Sequence, residues 1–446
     1  MDHLTDNASR SEFADIQANA SASRASVACG GWPCLRRSIA LAALALVLGG
    51  LAWSAMKIVR FGQAAAGVAE LGGKAIVGRN PGFEGSKILA WYSIVIGDSR
   101  VIADLSGTRV SDADLARLGG FGAALRSVRL GDTRITDEGV ASLGKQPQIE
   151  SLRLERTRVT DSGLAAVAGL RHLTALELAD TQITDNGLWY LRNLDRLERL
   201  NLANTPVTDV GVQALSALRS LRVVNLSNTK TSDAGLQAIC QAPALAYLNL
   251  SRTSVTDGGL AHLEGLAHLG TLELSWNPIG DVGLRHLAGL TNLSHIDLSA
   301  TRVTDGGLEN LGGLKNLTWV GLHGTRVAGA GLRSLKRFPH EGNWVDYLDL
   351  SSTAVNDAGL AALDGFWGIR WLNLADTAVG DAGLSRLNCF DRGASINLAR
   401  TRVTDAGIET LGRLPLSGVD LTGTRVTAAG RDRLAKLLSS SRREQD

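Results

Sequence analysis

The sequence predicts an α/β solenoid: a curved horseshoe with an inner parallel sheet and outer short helices, preceded by one transmembrane helix. Three observations lead there. First, one phrase, L-x-x-L-x-L-x-x-T-x-V-T-D-x-G-L-x-x-L, recurs along most of the chain. Second, its leading threonine column keeps a fixed spacing. The column falls at Thr108, Thr133, Thr157, Thr181, Thr205, Thr229, Thr253, Asn277, Thr301, Thr325, Thr353, Thr377, Thr401 and Thr424, mostly 24 residues apart. A fixed period of this size marks stacked supersecondary units rather than a globular core. Third, an uncharged run from Ser38 to Met56 precedes the repeats.

In chain order, residues 1–35 are rich in Ser, Ala, Asn and Asp and read as a disordered tail. Residues 36–60 read as a membrane anchor. The run Ser38–Met56 is mostly Ala, Leu, Val and Ile, flanked by Arg36-Arg37 and by Lys57 and Arg60. It is long enough to cross a hydrocarbon core, and as a helix it satisfies its own backbone there. Trp53 suits an interface position. A cleaved signal peptide is the competing reading, with Ala52-Trp53-Ser54 as a small-x-small site. The long, partly acidic leader argues for retention. A lipoprotein box at Ser26-Val27-Ala28-Cys29 is discounted because no apolar stretch precedes it. The basic residues flanking the span are nearly balanced. The adjacent arginine pair and the short tail place the tail inside and the repeats on the extracytoplasmic side.

Residues 61–100 read as connector and N-terminal cap. Gln63–Leu71 has helical composition and Gly72-Gly73 ends it. Ile88–Ile96 is apolar enough for a buried element. A solenoid exposes an apolar end face, so a cap is physically required. The repeats then run over residues 101–438, with a final helical stretch at Arg431–Leu438 and a polar end over 439–446.

Each repeat reads as strand, turn and short helix. Ile296 and Leu298 alternate with Asp297, the period of a strand with one buried face. Thr304-Asp305 then supply a helix N-terminus by accepting backbone N–H groups, and Gly306-Gly307 permit a tight turn. Strands stack about 4.8 Å apart while helices need about 10 Å, so the array curves with the strands inside. The inner arc is roughly 65 Å, a surface suited to a macromolecule.

The phrase L-x-x-L-x-L-x-x-T-x-V-T-D-x-G-L resembles the leucine-rich repeat family, in a form similar to that of many bacterial membrane-anchored repeat proteins. The leader Val68-Ala69-Glu70-Leu71-Gly72-Gly73 is similar to the leader of such proteins. The resemblance covers about three quarters of the chain. It implies a protein-binding scaffold and leaves the partner open. The family's usual column residue is Asn; here Thr takes that place except at Asn277.

Composition narrows the function. The net charge of +2 gives no electrostatic argument for nucleic acid. The four cysteines, Cys29, Cys34, Cys240 and Cys389, have neither metal-site nor redox spacing. His295, His323 and His340 do not define a tetrahedral set, so neither a metal nor a cofactor is expected. No nucleophile–base pair or phosphate loop stands out, and the chain reads as a non-enzyme. The aspartate column, Asp112 through Asp405, reads as N-capping rather than calcium binding, because calcium needs six to eight converging oxygens. The basic residues that follow eight of the column positions, Arg109, Arg134, Arg158, Lys230, Arg302, Arg326, Arg402 and Arg425, read as an ion-pair edge with those aspartates.

The strand positions that face away from the core are the informative ones. One column reads Tyr247, Thr271, His295, Trp319, Tyr347 and Trp371, in a chain with only 4% aromatics. The next carries Glu273, Asp297 and Asp349, within a drift from basic to acidic along the arc. Aromatics beside carboxylates make binding hot spots, or else they stack on one another and shield the sheet. A four-residue insertion carrying Phe338-Pro339-His340-Glu341-Gly342 lies one turn away. The reading is a non-enzymatic, membrane-anchored scaffold. It holds a protein or peptide at Tyr247, Glu273, His295, Asp297, Trp319, Tyr347, Asp349 and Trp371, and meets the lipid bilayer through Ser38–Met56. Recognition of cell-surface polysaccharide is the alternative, and an intracellular ubiquitin-ligase-like adaptor a third reading. The latter lacks its helical docking module ahead of the repeats.

Overall fold

The computed structural model describes residues 52–78, 100–336 and 345–443. The chain divides into two compact units, Met1–Arg60 and Phe61–Asp446. In the first, residues 52–60 are helical, and the Lys57 ammonium lies 3.6 Å from the centre of the Trp53 ring. Among the described residues no helix is long and apolar enough to cross a membrane. The anchor expected over Ser38–Met56 falls outside them as far as residue 51, as do the apolar stretch Ile88–Ile96 and the insertion Phe338–Gly342.

The second unit is built on one sheet. Among the described residues its strands are β1 (Lys74–Gly78), β2 (Arg100–Asp104), β3 (Leu125–Arg129), β4 (Ser151–Arg153), β5 (Ala175–Glu177), β6 (Arg199–Asn201), β7 (Val223–Asn225), β8 (Tyr247–Asn249), β9 (Thr271–Glu273), β10 (His295–Asp297), β11 (Trp319–Gly321), β12 (Tyr347–Asp349), β13 (Ile369–Asn373), β14 (Phe390–Asn397) and β15 (Leu416–Asp420). They lie in chain order, and every pairing is parallel except that of β1 with β2. Each three-residue strand buries its middle residue, as Leu272, Ile296, Val320 and Leu348 show, and turns its two flanking residues outward; Leu372, between Trp371 and Asn373, takes the same place on β13. The helical segments carry the opposite wall of the core through Leu284, Leu308, Leu332 and their equivalents.

The N-terminal end is covered as the physics requires. A helix over 61–70 buries Phe61, Ala64 and Val68, and Phe61 meets Phe121 edge-on with ring centres 5.1 Å apart. The two glycines that end it are both obligatory. Gly72 has φ +80°, and a Cβ on Gly73 would sit 2.6 Å from the Asp104 carbonyl oxygen. The closing helix is longer than expected, running over Ala428–Arg443 and burying Leu434.

The threonine and aspartate columns divide the labour differently from the expectation. The leading threonines bond within their own turn: Thr301 Oγ1 donates to the Leu298 carbonyl at 2.6 Å. Asn277 reaches further. Its Nδ2 donates to Leu250 O in the preceding repeat at 2.7 Å, and its Oδ1 accepts from Thr253. The N-cap itself is the second threonine; Thr304 Oγ1 accepts from the Gly306 N–H at 3.3 Å. The aspartate that follows serves the next repeat. Asp281 accepts from the Thr304 N–H at 2.8 Å and from Thr304 Oγ1 at 2.6 Å. The same clip joins Asp112 to Thr136, Asp185 to Thr208 and Asp405 to Thr427. Each clip ties two turns through charge-assisted bonds, which are shorter and stronger than neutral ones.

This clip explains the glycine two residues after each aspartate. A Cβ on Gly307 would meet Asp281 Oδ1 at 2.4 Å, and one on Gly187 would meet Asp161 Oδ1 at 2.4 Å. Neither glycine has a positive φ, so the column is kept small for the neighbour's carboxylate rather than free for a turn. The left-handed position is elsewhere, just before each leading threonine, at Trp276 (φ 61°) and Ala300 (φ 55°) among others. The aspartates are thus occupied. Among the described residues none pairs with the basic column, and Arg109, Arg134, Arg158, Arg302 and Arg402 stand exposed.

Candidate functional site

In-register parallel pairing decides what the outward aromatics do. His295 lies opposite Trp319, Trp319 opposite Tyr347, and Tyr347 opposite Trp371. Strand spacing of about 4.8 Å is close to the separation of stacked rings. The four rings form one ladder. Their centres are 3.9, 4.6 and 4.2 Å apart, with planes within 10° of parallel. Gly321 makes room for it, since a Cβ there would lie 2.7 Å from the Trp319 ring. All four side chains are half-buried. Most ring faces are therefore spent on one another, and the ladder presents its edges and its two end faces.

The other predicted residues fall beside the ladder in different roles. Tyr247 is separated from His295 by Thr271 on β9. Its hydroxyl donates to Glu273 Oε1 at 2.7 Å, while Asn249 Nδ2 donates to Glu273 Oε2 at 2.6 Å. Burial, then the bond to Glu273, pushes the Tyr247 phenol up to about 12. Burial also raises Tyr347. It lowers His295 below the ordinary imidazole value, against the opposing pull of Glu273 and Asp297.

Asp297 and Asp349 are partly structural. Each accepts the N–H two residues on, from Ser299 and Ser351, both at 2.9 Å. Asn201, Asn225, Asn373, Asn397 and Asp420 do the same, forming an Asx-turn column that steers the chain off each strand. The acidic drift along this column, taken from sequence as a binding signal, is in large part a run of interchangeable turn formers.

Beyond Trp371 the aromatic column shrinks to Ser395 and Gly418. The free face of Trp371 there borders an open depression of ≈ 350 Å³, lined also by Ser395, Asn397, Gly418, Val419 and Asp420. In the sequence its signal is the abrupt loss of side-chain volume after Trp371. Bonds from Thr422 hold the Asp420 carboxyl below the usual carboxylate range.

His295 lies in the ladder and His323 Nδ1 pairs with Ser351 Oγ at 2.8 Å, while His340 is outside the described residues. No group of three or more metal-ligating side chains occurs among the described residues. Cys240 and Cys389 are free thiols whose pKa burial pushes up to about 12.

A "Leucine rich repeat" family model matches residues 195–255, and a second, "Leucine Rich repeat", matches 124–144, 169–191 and 265–288. Over those residues the repeats match leucine-rich repeats. The solved structures agree on the leucine-rich repeat fold. An internalin from Listeria monocytogenes superposes with a TM-score of 0.54 at 21% identity, covering 76% of this chain and 84% of its own. A leucine-rich repeat protein of Leptospira interrogans gives 0.52 at 14% identity, with 72% and 84% covered. No curated protein sequence matches the chain. Leucine-rich repeats generally serve as non-catalytic scaffolds for protein interaction.

Proposed function

We propose that the chain is a membrane-anchored, extracytoplasmic binding scaffold that holds a protein or peptide partner on the outward face of its sheet. The observation that carries this is the ladder His295–Trp319–Tyr347–Trp371, four half-buried rings on consecutive strands in a chain with 4% aromatics. Rigid aromatic surface flanked by polar groups is what the centres of protein interfaces are made of. Tyr247 and Glu273, with Asp297 and Asp349, extend the surface on its polar side. The uncharged run Ser38–Met56 supports the anchor.

The test is capture from native membranes with the full chain and with a Trp319→Ala/Trp371→Ala variant. The expected result is loss of specific partners by the variant; an unchanged set would overturn the assignment. Protease treatment of intact cells tests the sidedness: repeats outside are cut with other surface proteins, and repeats inside survive.

A further inference from the structure

We propose that the depression beside Trp371 is a subsite for an arginine side chain of the partner polypeptide, which stacks on the free Trp371 face and pairs with Asp420. This rests on the outward-face reading and adds the partner's chemistry to it. The geometry is that of an unfinished stack. The ladder advances one ring per strand from β10 to β13, then meets Ser395 on β14 and Gly418 on β15, which leave the next positions without a ring. A planar group entering there continues the stack. A guanidinium is planar, is attracted to the face of an indole, and pairs with a carboxylate through parallel N–H groups.

Charge complementarity favours that occupant. The two residues that flank the buried middle of each repeat strand from β10 to β15 include Asp297, Asp349 and Asp420 and no lysine or arginine; the exposed Arg370 and Arg392 lie further back on β13 and β14, where Arg370 pairs with Asp391. The chain's own arginines near Asp420 make their hydrogen bonds to other groups, while the charges of both also act on its carboxylate. Arg400 forms a two-bond pair with Asp376, and Arg431 Nη2 donates to the Leu421 carbonyl at 3.2 Å. Asp420 lines the depression and accepts the Thr422 N–H on Oδ1 at 2.9 Å.

The experiment uses the full chain and a fluorescein-labelled Gly-Arg-Gly-Arg-Gly peptide, read by anisotropy, beside the same peptide with citrulline for arginine. Citrulline keeps the planar shape and removes the charge. Saturable binding is expected for the arginine peptide, weakened at least tenfold by citrulline, by Trp371→Ala and by Asp420→Asn. Asp420→Asn preserves the turn, because Asn373 and Asn397 hold the equivalent bond on neighbouring strands. Trp189→Ala, an exposed ring on a helical segment, should leave binding unchanged. Equal binding of the citrulline peptide, indifference to Asp420→Asn, or no binding at all overturns the subsite. So does competition by a neutral oligosaccharide, cellohexaose, that needs Trp371 but not Asp420. The two proposals fail separately: the outward-face reading survives if Trp319→Ala/Trp371→Ala still loses native partners while Asp420→Asn keeps them all.

Discussion

Gly307 shows how a single position carries the stacking of two turns. It holds its place because Asp281 Oδ1 from the preceding repeat occupies the space where a Cβ would stand, at 2.4 Å. Gly307→Ala is therefore expected to destabilise the protein by about 1–3 kcal/mol, as overpacking does. Gly289→Ala is the control, since nothing lies within 4 Å of a Cβ there. Denaturant midpoints of the two variants check this. His295 gives a second prediction at this scale. Burial lowers its pKa in the folded state below the ordinary 6.5, despite the neighbouring Glu273 and Asp297 carboxylates. The unfolded chain then binds the proton more readily. This contribution to stability is full above about pH 6.5 and is lost as the pH falls from there through the lower folded-state value. The midpoint difference between pH 7.5 and pH 5.5 should be larger for the wild type than for His295→Gln, and an NMR titration should place His295 below 6.5.

The strands β10 to β13 make their site through register. Each is three to five residues long, and in-register parallel pairing is enough to bring four distant rings within stacking distance. Tyr347 sits inside the ladder and touches both Trp319 and Trp371. Tyr347→Ala breaks two stacks and is expected to cost about 1–3 kcal/mol beyond the apolar area lost. Thermal denaturation of Tyr347→Ala against Tyr347→Phe checks it, because phenylalanine keeps the stacking face. The strands, the helical segments and the outward aromatic column could all be foreseen from period two alternating with leucines at helical spacing. The ladder could not, because register between strands about two dozen residues apart is a property of the stacked array. Nor could the double duty of Asp297 and Asp349, whose Asx-turn bonds make them part of the scaffold.

At the scale of the whole second unit, the sheet accumulates stability from neighbour to neighbour, so its ends decide whether the stack starts. Phe61 closes one end, buried and edge-on to Phe121. Phe61→Ala should cost about 3–5 kcal/mol and loosen the first turns before the rest. Hydrogen exchange should rise first in β2 and β3, with β8 to β12 still protected. The amino-acid order alone specified the repeat, its strand–turn–helix content, the threonine, aspartate and glycine columns, and which aromatics turn away from the core. These follow from periodicity and local backbone chemistry within a single turn. The stacked structure decided what each column is for. Asp281 clips Thr304 of the next turn, Gly307 stays small to admit that clip, and Trp371 keeps one face open where Ser395 and Gly418 follow it. Those roles depend on contacts between turns, and one turn says nothing of its neighbour until the two are packed together.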